Sequence, residues 1–592
     1  HFLLFWGVTI QVIGTAINLM QMKLFTPFEL FIPRDSGYFF YEWIMDLAGI
    51  FILVGVLMAV IRRLVMRPKY LGYKWDDYFA VILLTLMALA GFTTEAMRLI
   101  SASPAWSQYS FMGNIVAGWY LNWGVTPEIA FQWHPYLVLL HTFLGLVFGA
   151  TLPFTKLRHL VMAPLNILLR PRRPMGALEK IEDIENTEIM GVGNVNEFTS
   201  RELLSFDACL DCGRCEDVCP ATVSGMNYSP RTLLQDLHQS AVGSLIKKNG
   251  NGTSPELPAK LFDEGTLWAC TTCGACLTRC PIFIRPPERV VDLRRYQTLT
   301  TGEMPKSVGD TLRNMERQGN PWGMPPQDRM KWAEGLGVRE LAPGDETDVL
   351  FFAGCAAAFD ERNKMVTQSF VKLLQKADVD FGVLGLEEAC CGETARRMGH
   401  EYIFQVMAEQ NIEIFNEIKF KRIVTQCPHC LNTLKNEYPQ MGGNFEVVHS
   451  SQLLTEIADD LNLDQAKGNG VQGRLTYHDS CYLGRYNGEY EAPRDLLDKA
   501  KTDRVEMARY GENSFCCGAG GGGMWVETDA DKRINHRRLQ DAIDVEADVV
   551  ATACPYCLTM FEDALNSKGM SENIQVLDIA EVLEKQIDGA QE

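Results

Sequence analysis

Eighteen cysteines mark the chemistry of this 592-residue chain, and their spacing says what kind it is. Two runs, Cys209, Cys212, Cys215, Cys219 and Cys270, Cys273, Cys276, Cys280, each read C-x-x-C-x-x-C-x-x-x-C-P and end in Pro220 and Pro281. Every position of the second run lies 61 residues after its counterpart. Three thiolates on one tight loop, with a fourth slightly further on, hold a cubane [4Fe–4S] cluster; in two-cluster chains the fourth sulfur serves the other cluster. The spacing assigns Cys209, Cys212, Cys215 and Cys280 to one cubane, and Cys270, Cys273, Cys276 and Cys219 to a second. Zinc takes its ligands in two pairs and does not call for a doubled eight-cysteine pattern. Disulfides belong to oxidising compartments, and free thiolates to reducing ones.

The other ten cysteines make a second repeat. Cys355, Cys390, Cys391, Cys427 and Cys430 recur as Cys481, Cys516, Cys517, Cys554 and Cys557, at offsets of 126, 126, 126, 127 and 127. Cys390-Cys391-Gly392 matches Cys516-Cys517-Gly518, and Cys427-Pro428-His429-Cys430 matches Cys554-Pro555-Tyr556-Cys557. Five thiols are one too many for a cubane or a tetrahedral zinc. Both copies resemble the cysteine-rich CCG domain of heterodisulfide reductase catalytic subunits. The resemblance implies that each five holds a noncubane [4Fe–4S] cluster and makes these ten the catalytic candidates; a copy reduced to scaffold or to zinc is the alternative.

Four of the ten histidines, His1, His134, His141 and His159, lie in the first 160 residues. On one continuous helix His141 and His159 would project from the same face about 27 Å apart, marking two haem levels. Polar groups in lipid are costly and usually functional. This region resembles the gamma subunit of respiratory nitrate reductase, a bundle with two b-type haems, through His1 to Gly7, Leu140 to Gly145 and Phe154 to Leu160. The resemblance implies that His1 and His159 ligate a haem b and that His141 belongs to a second. Ten residues after His1, where the family carries another histidine, this chain has Gln11, and His134 shares a helix with His141. One haem b is expected, with no partner ligand for another. The gamma-subunit bundle has one more span before its first haem histidine, so a leading segment ahead of His1 is also expected.

Apolar runs from His1 to about Met20, Trp43 to Met66, Tyr78 to Ile100 and Phe131 to Phe154 are each about 20 residues or more, enough for a membrane helix. Arg62, Arg63, Arg67, Lys69 and Lys74 follow the second run, and Lys156, Arg158, Arg170, Arg172 and Arg173 the fourth. These loops are expected on the cytoplasmic side, and the loops with Lys23, Arg34 and Arg98 outside. The expected fold is therefore multi-domain: an α-helical transmembrane haem b bundle (1–160), a linker (161–205), an α-rich two-[4Fe–4S] ferredoxin-like domain (206–300), a connector (301–345), and two repeated α/β CCG domains (346–467 and 468–592). The segment Lys247 to Pro258 is expected to be a solvent loop.

In the CCG halves, Val349 to Phe352, Arg422 to Thr425 and Val549 to Thr552 read as buried parallel strands, with helices at Glu401 to Ile418 and Asp529 to Ile543. Ligands of such sheets gather at the carboxyl ends of strands. Gly518 to Gly523 lacks the Lys-Ser/Thr of a P-loop, and its glycines are expected to let backbone approach a cluster.

A net charge of −19 argues against nucleic acid as partner. No nucleophile–base constellation or organic-cofactor fingerprint competes with the metal motifs. The whole order resembles the membrane-bound iron–sulfur oxidoreductases that pass electrons from electron-transferring flavoprotein to menaquinone, including Gly319 to Gly323, Cys427 to Tyr438 and His478 to Asn487. The resemblance implies an oxidoreductase of the cytoplasmic membrane, multi-pass, with its soluble domains in the cytoplasm and lipid bilayer, flavoprotein and quinone as partners. Disulfide reduction coupled to a membrane quinol-type carrier, and an electron-wire subunit of a larger complex, are the alternatives.

Overall fold

The chain, in a computed structural model, is described at residues 1–23, 36–68, 70–104, 107–188, 190–247, 257, 261–263, 265–463 and 470–588. Most of the Lys247–Pro258 loop, Arg34, Lys69 and the junction at 467–468 lie outside the described residues. The chain divides into two units, His1–Leu168 with Asp207–Gly213, and Leu169–Phe206 with Arg214–Glu592.

The first unit is helical: α1 (Phe2–Lys23), α2 (Ser36–Ile61), α3 (Trp75–Ala102), α4 (Phe111–Asn122), α5 (Pro127–Thr151) and α6 (His159–Leu168). Among the described residues three helices, Phe39–Met66, Trp75–Ala102 and Pro127–Phe154, are long and apolar enough to cross a membrane, while the apolar stretch Phe2–Asn18 of α1 is shorter than the expected first span. Small residues bring α1 and α2 together, as in lipid, where packing rather than hydrophobicity drives association. A Cβ on Gly7 would lie 2.9 Å from the Ala48 carbonyl, and one on Gly55 2.7 Å from Leu4. Two features depart from expectation. The stretch after the third apolar run holds α4, whose first amides, Met112 and Gly113, donate to the Asp46 carboxylate at 2.7 and 3.3 Å. And His141 and His159 do not share a helix: α5 stops at Thr151, 3₁₀ turns follow, Thr155 is extended, and α6 begins at His159. Pro153, which has no amide to donate, sits in the first of those turns.

The second unit contains two four-stranded parallel sheets of identical topology. Strands β1 (Glu346–Phe351), β2 (Phe381–Gly382), β3 (Lys419–Thr425) and β4 (Val447–His449) run in the order β2-β1-β3-β4. Strands β5 (Arg474–Tyr477), β6 (Asp503–Val505), β7 (Val549–Thr552) and β8 (Gln575–Asp578) run β6-β5-β7-β8. The inner strands end in continuous buried runs, as parallel strands covered on both faces do. One apolar core joins the copies, with Phe351 and Leu374 of the first in the same cluster as Leu475 and Val582 of the second. Arg362 ties the first copy to Glu562 and Glu581 of the second at 2.7 Å each.

Both sheets reverse strand order between the inner pair, β1/β3 and β5/β7, and a crevice opens at such a point beyond the carboxyl ends. Cys355, Cys390–Cys391 and Cys427 follow β1, β2 and β3, and Cys481, Cys516–Cys517 and Cys554 follow β5, β6 and β7. Topology alone therefore gathers each five at one sheet edge. The 61-residue repeat is also structural: Asp211 and Gly213 in the first cysteine loop, and Thr272 and Gly274 in the second, all have positive φ between 47° and 76°. Those left-handed residues wrap each loop inward around its sulfurs.

Candidate redox centres

In the first CCG copy all five thiols are buried and line one cavity with Gly354, Glu393, Thr394, His429 and Tyr556. The Cys355 and Cys390 sulfurs are 3.6 Å apart. Backbone contacts hold the loop in place: Cys390 N–H donates to Gly319 O (3.3 Å), Asn411 donates to Cys390 O (3.2 Å), and the Tyr438 hydroxyl donates to Cys391 O (3.2 Å). These contacts give a physical role to Gly319, of the Gly319–Gly323 stretch, and to Tyr438, at the end of Cys427–Tyr438. In the second copy the five thiols are equally buried. His478 joins them, a ring nitrogen lying within 4.8 Å of the Cys517 and Cys557 sulfurs.

The second cubane set also comes together. Burial pushes the Cys219 thiol up to about 12, with neighbouring Cys273 and Cys270 adding to the effect, so Cys219 sits among the second run. Cys215 lies near enough to Cys276 to act on it electrostatically. Cys273 packs in one buried cluster with Cys481 and Cys516 of the second CCG site. The glycine loop completes this junction: a Cβ on Gly521 would lie 2.5 Å from the Cys270 carbonyl, and one on Gly520 2.6 Å from that of Thr271. What those glycines approach is the backbone of the neighbouring cysteine loop. The four residues of the first cubane set divide between the units, Cys209 and Cys212 in one and Cys215 and Cys280 in the other. Cys280 accepts from the Ile284 amide at 3.4 Å.

The charges around these thiols test whether an iron–sulfur group fits. Arg294 is fully buried and donates only to carbonyls, those of Leu267, Cys270, Arg397 and Gly521, at 2.6–3.2 Å. Arg485, also buried, donates to the carbonyls of Glu512 and Cys273 and is drawn electrostatically to Cys273, Cys481 and Cys516. Neither is paired with a carboxylate among the described residues. An unpaired buried cation is costly, so its presence calls for a compensating anion. Burial alone would keep thiols protonated; bound metal makes them thiolates and supplies that charge. The donor sets fit iron–sulfur groups.

Between the two CCG sites lies a polar and aromatic layer that the cysteine spacing did not disclose. The His429 ring stacks on Tyr482 at 4.0 Å, approaches Tyr556 at 4.9 Å, and bonds through Nδ1 to Glu393 at 3.0 Å. Burial opposes a charge on His429, but Glu393 and Cys554 outweigh it and hold the imidazole above its usual range. The position of His429 inside C-P-H-C was the one available signal. Around this layer runs a buried ion network, Arg295–Glu401 (2.7 Å), Glu401–Arg396 (3.0 Å), Arg396–Glu437 (3.2 Å) and Glu437–Arg397 (3.0 Å). Burial disfavours the Glu401 carboxylate, yet Arg295 and Arg396 hold it down to about 2.

In the helical unit the structure brings His1 and His159 together, with ring centroids 5.8 Å apart. The Nδ1 of His159 bonds to the Lys156 carbonyl, leaving Nε2 for a metal. The two imidazoles fit as the residues that would hold one haem. Lys156 also acts through its ammonium, which pairs with Asp77 (2.8 Å) and Asp211 (3.7 Å), and Lys74 pairs with Asp211 at 2.9 Å. Asp211 stands between Cys209 and Cys212, so one residue tethers both the histidine and the cysteine loop. His141 lies elsewhere, on α5 against α3, where Gly91 makes room for its ring. Gln11 donates to the Met45 carbonyl at 2.8 Å, and His134 is on α5 with His141. Neither is placed opposite His141.

Models of three families match the chain: the nitrate reductase gamma subunit over residues 2–175, a 4Fe-4S dicluster domain over 208–283, and the cysteine-rich CCG domain over 349–435 and 475–562. The EtfAB:quinone oxidoreductase of Syntrophomonas wolfei is 35% identical, the match covering 99% of this chain and 87% of that protein. A probable iron-sulfur-binding oxidoreductase, FadF, of Bacillus subtilis is 33% identical over 100% of this chain and 89% of its own length. One subunit of the dihydromethanophenazine:CoB–CoM heterodisulfide reductase of Methanosarcina barkeri is 28% identical over 66% of this chain and 96% of its own length.

Proposed function

Because this chain belongs to the family of membrane-anchored iron–sulfur oxidoreductases that includes the EtfAB:quinone oxidoreductase of Syntrophomonas wolfei, we propose that it carries electrons from a reduced electron-transferring flavoprotein to a membrane quinone, menaquinone or a close relative. The ten CCG cysteines would hold two noncubane clusters, the eight others two cubanes, and His1 with His159 one haem b. These groups supply the one-electron chemistry. The chain's part is to order and insulate them. Cys273 against Cys516 joins the second CCG site to the second cubane set, Cys215 beside Cys276 joins the cubane sets, and Lys156 joins the Cys209–Cys212 loop to His159.

The observation that carries the proposal is the last of these. A single lysine, oriented through its carbonyl and its ammonium at once, makes the inner end of a cysteine relay and a haem ligand parts of one local structure. Arg63, Lys74 and Lys156 gather around Asp77 and Asp211 at that end of the bundle, which supports its lying on the cytoplasmic face by the bias of basic residues toward that side. We further propose that His141 marks the outer level of the bundle, without a second histidine.

The test mixes the purified full chain with reduced electron-transferring flavoprotein, and separately with a dithiol, while haem b absorbance is followed in the presence of a quinone analogue. Rapid haem reduction by the flavoprotein, reversed by the quinone, is expected. Fast reduction by the dithiol alone, with none by the flavoprotein, would instead make the protein a disulfide-linked enzyme.

A further inference from the structure

The two CCG copies superimpose in chain order but not in what faces their sulfurs. Phe352 N–H donates to Val424 O at 2.9 Å just after β1, and His478 N–H donates to Ala551 O at 2.9 Å just after β5. The two residues are 126 positions apart and occupy the same place in the fold. One copy therefore has a phenyl ring where the other has an imidazole.

That imidazole is held in one tautomer. Arg538, fully buried, donates through Nε to His478 Nδ1 at 3.0 Å, and its Nη1 donates to Arg509 O and to Asp541, each at 2.8 Å. A guanidinium can only donate, so Nδ1 must accept and the ring proton must sit on Nε2. Nε2 is then an N–H group rather than a metal-binding lone pair, and the ring carries it at the second CCG site, where one of its nitrogens lies within 4.8 Å of the Cys517 and Cys557 sulfurs. Asp479, the carboxylate next in sequence, is neutralised by a two-pronged pair with Arg494 at 2.7 and 2.9 Å. In the first copy the nearby cation, Arg329, is itself neutralised by Glu388 at 2.8 Å, whereas Arg485 beside the second copy has no carboxylate partner among the described residues. Hydrogen bonds to sulfur and positive surroundings both stabilise the reduced, more negative form of an iron–sulfur group.

We propose that His478, fixed by Arg538 with its proton on Nε2, stands beside Cys517 and Cys557 as an N–H donor to the sulfur of the group they would hold, and so sets the second CCG site at a higher reduction potential than the first. His478 is a positioning residue, not an iron ligand. The inference rests on the proposed occupancy of both CCG sites by iron–sulfur clusters. A single electron shared between the two would then rest on the second, the site in contact with Cys273. One site loses that electron and the other gains it, with no proton required.

The experiment is an EPR-monitored redox titration of the full chain in detergent, comparing wild type with His478→Phe, His478→Gln and Arg538→Gln, with iron counted in each. His478→Phe is expected to lower the midpoint potential of one noncubane signal by about 59 mV, a tenfold change in a one-electron equilibrium, and to leave the other signals in place. His478→Gln, which keeps a donor, is expected to shift it less. Labelling with [15N]histidine is expected to give only the weak nitrogen coupling of a hydrogen bond. Full iron content with no shift in His478→Phe overturns the proposal, as does a strong coupling typical of iron–nitrogen bonding. If His478→Phe fails to assemble, the Arg538→Gln variant decides by the same shift. A wild type with only about eight non-haem irons per chain overturns the occupancy on which it rests, and the two failures are thereby distinguished.

Discussion

A cysteine's role here depends less on its sequence neighbours than on which loop it reaches. Cys219 closes the first run in sequence, yet it sits among Cys270, Cys273 and Cys276. Cys219→Ser is therefore expected to cost the second cubane, about four of about 16 non-haem irons, while the Cys209–Cys212–Cys215 signal survives; Cys280→Ser is expected to do the converse. Iron analysis with EPR on both variants checks this, and equal loss of both signals in each would refute the crossed assignment. The buried arginines show the same logic of charge. Arg294 lies beside Cys270, and Arg485 beside Cys273, Cys481 and Cys516, so thiolates holding iron there would compensate both buried cations.

At the level of elements, helix Pro286–Tyr296 of the ferredoxin-like part and helix Glu401–Asn416 of the first CCG copy are joined by Arg295–Glu401, with Arg396 on the other side of the carboxylate. A free glutamate titrates near 4.3, about two units above Glu401. A depressed carboxyl contributes stability that is fully present above the unfolded value and is lost as pH falls toward the folded one, here from about 4.3 to about 2. The size is roughly 3 kcal/mol at neutral pH. Glu401→Gln is expected to remove most of it, so the variant should be less stable at pH 7 and lose less on acidification. Denaturant titrations of the full chain at pH 7 and at about pH 2.5 check this; parallel losses in wild type and variant would show that the network is not what acid disrupts. The glycine loop matters at the same scale, because a side chain on Gly521 would meet the Cys270 carbonyl and force the two cysteine loops apart.

At the scale of the whole molecule, the chain joins a lipid-facing helical unit to a unit rich in buried thiols and ions. The helical unit shows outward apolar side chains such as Phe131, Leu139 and Leu146, each about two-thirds or more exposed, as lipid-contacting helices do. The two parts should be separable by chemistry. His159→Ala is expected to abolish the haem b absorbance and quinone reduction while leaving about 16 irons per chain and their reduction by flavoprotein intact. Optical spectra, iron analysis and quinone turnover on one preparation check it. Haem retained at the wild-type level in His159→Ala would move the ligand pair away from His1 and His159.

Cysteine spacing and repeat offsets alone proposed the four thiol sets, and short apolar runs identified the parallel strands that carry ten of the cysteines, because loop ligation and strand burial are both written in local patterns. Local patterns also misled: a helix running from His141 to His159 satisfied periodicity, but Pro153 and the extended Thr155 end it. Only the tertiary structure decided that Cys273 meets Cys516, that Lys156 serves both His159 and Asp211, that the two CCG copies differ at Phe352 and His478, and which arginines stand beside the buried thiols and which pair with glutamates. Those partners lie up to some 240 residues apart. Opposite charges and facing rings find each other through chain folding, and no local spacing rule encodes a contact that the backbone closes only after both sheets and both cysteine loops have formed.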